Sequence, residues 1–103
     1  LVRSLHPQGE LLDAAMGIAR EIADNTSAMS AALNRQLLWR MMAADHPMEA
    51  HIIDPRAIAF MGESEDAKEG VSSFLEKRAP QFKLRPSQDK PPFYPWWEER
   101  KFR

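Results

Sequence analysis

Apolar side chains recur at the three-and-four spacing of amphipathic helices along most of this chain, and the breaks in that rhythm set the expected elements. From residue 7 to 24, Leu11, Ala15, Ile18 and Ile22 form one stripe, and Leu12, Met16, Ala19 and Ala23 form its neighbour. The two stripes predict one helix with a wide buried face. A proline near the first turn and Asn25 after the last turn are its start and stop signals. Asn25-Thr26-Ser27 is a cap-rich break, after which Met29, Leu33, Leu37, Met41 and Ala44 define a second helix over 27–44. Leu38 and Trp39 fall off that stripe, so this helix is expected to meet more than one neighbour. Asp45-His46-Pro47 and Asp54-Pro55 read as two restarts, which divide the middle into helices over 47–53 and 55–61, with Gly62 as a left-handed terminus.

The best-specified helix covers residues 65–79. Ser64 is a favoured N-cap, Glu65 and Asp66 place negative charge on the first turn, Lys77 and Arg78 place positive charge on the last, and Pro80 marks the stop. Ala67, Val71, Phe74, Leu75 and the stem of Arg78 recur as one face, predicted to be buried. Residues 1–6, with Leu1-Val2-Arg3-Ser4-Leu5 ahead of His6-Pro7, read as the end of a strand belonging to a larger core. Residues 83–103 are different again. Prolines recur from Pro86 to Pro95 and forbid a helix interior, which predicts an extended tail carrying aromatic anchors. The division is therefore 1–6, a helical region over 7–82, and the tail. The fold class is mainly α, with about five helices.

Bulk properties narrow the partners. A chain of 103 residues supports one small core, and a formal charge of -1 carries no electrostatic footprint for nucleic acid. The chain has no cysteine, which excludes disulfides, Cys-based zinc sites and a thiol nucleophile, and makes the cytoplasm the expected compartment. No apolar run nears the ~20 residues of a membrane span. Leu1 is not an initiating Met, so a fragment of a longer product is expected.

Candidate chemistry is sparse. His46 and His51 are five apart and straddle a helix start, whereas metal-binding helices set histidines four apart, so no metal site is assigned. Ser72 and Ser73 lack a nucleophile elbow. Adjacent Glu65 and Asp66 read as dipole partners. The pair Lys77 and Arg78 reads either as a dipole match or as a phosphate contact. Phe93, Tyr94, Trp96 and Trp97 on an extended segment suit docking into a groove, across a subunit boundary or back on their own domain. Phe74 and Leu75 are the further interface candidates.

The run Ser64-Glu65-Asp66-Ala67-Lys68-Glu69-Gly70-Val71, with Phe74-Leu75-Glu76-Lys77-Arg78 and Pro80-Gln81-Phe82, resembles the C-terminal helix of the enoyl-CoA hydratase/isomerase (crotonase) family. Leu1 to Pro7 resembles the family's exit from the catalytic core, and Glu10 to Asn25 resembles its following helix. The Pro-Phe-Tyr-Pro-Trp-Trp tail is similar to the ending of some bacterial hydratase-like members. The resemblance implies the C-terminal helical region of a crotonase-like fold, which packs between subunits and helps cover CoA.

It also implies a parent enzyme, a lyase that hydrates 2-enoyl-CoA thioesters, with no cofactor beyond the acyl-CoA substrate. The parent would be a homo-oligomer, a trimer or dimer of trimers. The family's oxyanion hole and catalytic glutamates would lie upstream of Leu1, so no catalytic residue is assigned and the chain alone is expected to be inactive. Lys77 occupies the position of the family lysine that approaches the CoA 3′-phosphate, often from a neighbouring subunit. The alternatives are a stand-alone helical interaction module and a crotonase-superfamily isomerase.

Overall fold

The computed structural model describes residues 1–102. Four helices follow in order, α1 (Leu11–Asn25), α2 (Ala28–Met41), α3 (Met48–Gly62) and α4 (Glu65–Glu76), and the other described residues form turns and irregular backbone. No strand occurs among the described residues, so residues 1–6, expected as a strand end, are irregular backbone. A strand needs a partner for its backbone groups, and these residues have none here.

Residues 7–10 form a turn closed by Glu10 N–H donating to the Pro7 carbonyl at 2.9 Å, so α1 begins four residues later than the proline signal implied. Ser27 begins α2 as a cap, its Oγ accepting from Ser30 N–H at 3.4 Å. α2 stops at Met41, short of the expected 44, because its last turns tighten: Ala43 N–H bonds Arg40 and Ala44 N–H bonds Met41, each at 3.2 Å.

The two short helices expected over 47–53 and 55–61 are one continuous helix, α3, with Pro55 inside it. This reduces the count from five to four. Proline removes one N–H and crowds the preceding turn, yet Ile53 and Ala57 on either side of it are both buried. Tertiary packing holds the helix through the break. Its start is capped by His46, whose Nδ1 accepts from Met48 N–H at 3.0 Å. Gly62 is not left-handed, since no glycine among the described residues has positive φ. The chain instead turns through Ser64, whose N–H and hydroxyl both donate to the Met61 carbonyl at 3.1 and 2.6 Å.

The core is small and lies between α2 and α3. Met29, Leu33 and Ala57 are buried, with Leu37, Phe60 and Met61 packed around them, as the α2 stripe predicted. Leu84, Phe93, Tyr94 and Trp96 of the tail complete this cluster, and Pro91 is fully buried. α1 buries no residue.

Candidate functional site

α4 does not dock by its apolar face. Val71, Phe74 and Leu75, expected to be covered, are 63%, 81% and 73% exposed, while Asp66 and Ser73 are buried at 2% and 4%. The helix is rotated so that its polar stripe, with Gly70, faces its own chain. A buried carboxylate is tolerated only when its oxygens are hydrogen-bonded, and Asp66 meets that condition. Its Oδ2 accepts from the Ser27 hydroxyl at 2.6 Å, and its Oδ1 accepts from the N–H groups of Lys83 and Leu84 at 2.7 and 3.2 Å. Asp66 therefore joins the start of α2, α4 and the tail. Spacing shows why this escaped the sequence reading: Asp66, Glu69, Gly70 and Ser73 also recur at three and four, a polar stripe as regular as the apolar one.

The end of α4 differs from the expected run to residue 79. Ser64 caps the start as predicted, with Ala67 N–H donating to its Oγ at 3.1 Å, but the helix closes at Glu76. Lys77 is left-handed, with φ 54° and ψ 41°. Its N–H bonds the Phe74 carbonyl at 3.3 Å and Arg78 N–H bonds the Ser73 carbonyl at 3.0 Å. This is a helix-terminating turn of the kind that usually employs glycine. Neither Lys77 nor Arg78 is in the last helical turn, so their role is not a simple dipole match.

The two adjacent cations are treated differently. Arg78 is occupied: its Nη2 donates to Glu69 Oε2 at 3.0 Å, its Nη1 donates to Glu69 Oε1, and its Nε donates to Glu76 Oε2 at 2.6 Å. Glu69 Oε1 also accepts from Gln81 N–H at 2.7 Å. These bonds, Arg78 first, hold the Glu69 carboxyl down at about 2, and its ordinary value near 4.5 belongs to the unfolded chain. The group thus favours the fold above pH 4.5, and that contribution is lost as pH falls toward 2. Nearby, Lys68 pairs with Glu65 at 2.7 Å. Lys77 and Lys83 have no carboxylate within ion-pair distance among the described residues. Lys68, Ser72 and Lys83 also line a polar cavity of about 180 Å3 beside Glu69.

The aromatic tail folds back in cis. Phe93 meets Phe60 edge-on at 6.4 Å, and Tyr94, Trp96 and Trp97 pack edge-to-face at 5.0–5.9 Å. Arg40 lies over the Trp97 ring at 4.1 Å, a partner that no local sequence signal marked. Of the interface candidates, Phe74 and Leu75 are thus open to solvent, and the four tail aromatics are half-buried against this chain.

No family model matches the chain. Enoyl-CoA hydratase ACTT3 of Alternaria alternata is 37% identical over 79 residues, 77% of this chain and 26% of that protein. Enoyl-CoA hydratase AKT3-2 of the same organism is 42% identical over 71 residues, 69% of this chain and 23% of its own. A crystal structure of a probable enoyl-CoA hydratase/isomerase from Mycobacterium abscessus superposes with a TM-score of 0.71 at 32% identity, over 78% of this chain and 32% of that one. Proteins named enoyl-CoA hydratase and enoyl-CoA hydratase/isomerase thus match most of this short chain, consistent with a C-terminal helical portion of the crotonase family. The chain spans about a quarter of the length of the curated relatives it matches. Lys77 is one of several cations in no ion pair among the described residues; what sets it apart is its place at the end of α4, beside an Arg78 held by two carboxylates.

Proposed function

We propose that this chain is the oligomerisation and CoA-covering part of an enoyl-CoA hydratase-like enzyme, whose full-length form hydrates 2-enoyl-CoA thioesters. The reaction is supported by the relatives, which are named as hydratases. The covering role rests on one observation, the end of α4. There the Lys77 ammonium, on a tightly turned backbone, has no ion-pair partner among the described residues while its neighbour Arg78 is consumed by two carboxylates. A long cationic stem with no such partner suits a phosphate, and the CoA 3′-phosphate is the one the family resemblance implies. The exposed faces of α1 and of α4, through Phe74 and Leu75, supply the surface for contact with the rest of the enzyme and with a second subunit. The parent is then a homo-oligomer, a trimer or a dimer of trimers.

The test is hydration of crotonyl-CoA. The full-length protein turns it over and the chain described here does not; measurable hydration by this chain alone overturns the division of labour. Lys77→Met in the full-length protein raises KM for crotonyl-CoA about tenfold, the scale of one charge-assisted hydrogen bond. A KM unmoved by that substitution removes Lys77 from the site.

A further inference from the structure

We propose that Glu69 is a positioning residue for CoA recognition: by gripping Arg78 and the Gln81 N–H it holds residues 77–81 so that Lys77 presents its ammonium to the 3′-phosphate. The proposal rests on the reading of Lys77 as the phosphate contact. Three observations carry it. First, Lys77 is the only residue outside glycine with positive φ among the described residues. A side chain there is strained, and such a conformation persists only where its surroundings impose it. Second, beside the backbone bonds to Phe74 and Ser73 that close the turn and the Glu76 contact to Arg78, one carboxylate fastens the segment at both sides of Pro80. Glu69 binds the residue after Lys77 through both guanidinium ends and the residue four beyond it through the backbone, so the strap is fixed at two points.

Third, the arrangement divides the labour of an adjacent basic pair. Arg78, whose planar fork matches a carboxylate, is spent on Glu69 and Glu76, and Lys77, a compact charge on a flexible stem, is left without an ion-pair partner among the described residues. Were the strap loose, either cation could answer the phosphate and neither would be pre-placed. With the strap fixed, the cost of ordering Lys77 is met in the folding of the free protein, not on binding. The depressed carboxyl of Glu69 keeps the grip charged throughout the neutral range.

The experiment compares KM for crotonyl-CoA and for its 3′-dephospho analogue in the full-length protein, with Glu69→Gln, Lys77→Met and the double substitution. Glu69→Gln raises KM for crotonyl-CoA about fivefold and leaves that of the dephospho analogue where it was. Added to Lys77→Met it has no further effect, the non-additivity of residues acting through one contact. If Glu69→Gln raises both KM values equally, or neither, while Lys77→Met abolishes the discrimination, Glu69 is structural only and the proposal falls with Lys77 intact. If Lys77→Met leaves the discrimination untouched, the reading of Lys77 itself falls. Should Glu69→Gln not fold, Arg78→Lys, which keeps the charge and loses the fork, is read by the same ratio. An unchanged ratio there overturns the clamp.

Discussion

Asp66 shows how one side chain can set the position of three segments. Its two oxygens take up the Ser27 hydroxyl and the Lys83 and Leu84 N–H groups at the meeting point of α2, α4 and the tail. Asp66→Ala leaves those donors without their acceptor, a loss on the order of 3 kcal/mol. Chemical denaturation measures it, and faster amide exchange at Lys83 and Leu84 than at the α3 amides locates it. Equal protection in the two proteins would mean that the tail is held by its aromatics alone. Ser64 as a cap was readable from local chemistry, because a cap needs only an acceptor three residues before an N–H. Asp66 was not, because its partners lie 39, 17 and 18 residues away.

At the scale of elements, periodicity located each helical region but not which face of α4 would be covered. The α2 stripe did place Met29 and Leu33 in the core. In α4 two stripes of equal regularity competed, and the polar one won because its carboxylates find fixed donors in the strap and tail. α3 shows the opposite case, a local signal overridden. Pro55 is exposed and inside the helix, so its side chain packs on nothing that would be missed. Pro55→Ala restores one backbone hydrogen bond and is expected to stabilise the chain by about 1–3 kcal/mol. A raised thermal midpoint checks it; a lowered one would show that the break at Pro55 is needed for the packing of Ile53 and Ala57.

The whole molecule is open for its mass. Its accessible surface is 8932 Å2, against about 5,900 Å2 expected of a self-contained monomer of 11.8 kDa. The radius of gyration is 16.7 Å, against about 13 Å for a compact domain of this length. The excess is apolar in large part: α1 exposes Leu11, Leu12 and Ile22, α4 exposes Phe74 and Leu75, and an apolar groove of about 520 Å3 runs along α2 beside Leu38 and Met42. In isolation such faces associate. Light scattering is expected to show a mass that rises with concentration, and Phe74→Ser with Leu75→Ser to reduce it. A monomer at all concentrations would mark a self-sufficient module instead.

The sequence by itself located the helical stretches, though as five helices where the structure has four, together with the Ser64 cap and the core stripe of α2, since these depend on neighbours within a turn or two. Its motifs also carried the crotonase resemblance, through the run from Ser64 to Phe82. The tertiary structure decided the continuity of α3 through Pro55, the buried face of α4 and the separate fates of Lys77 and Arg78. Each of those turns on contacts between residues distant along the chain, or on a backbone angle imposed by such contacts, and neither is written in local spacing.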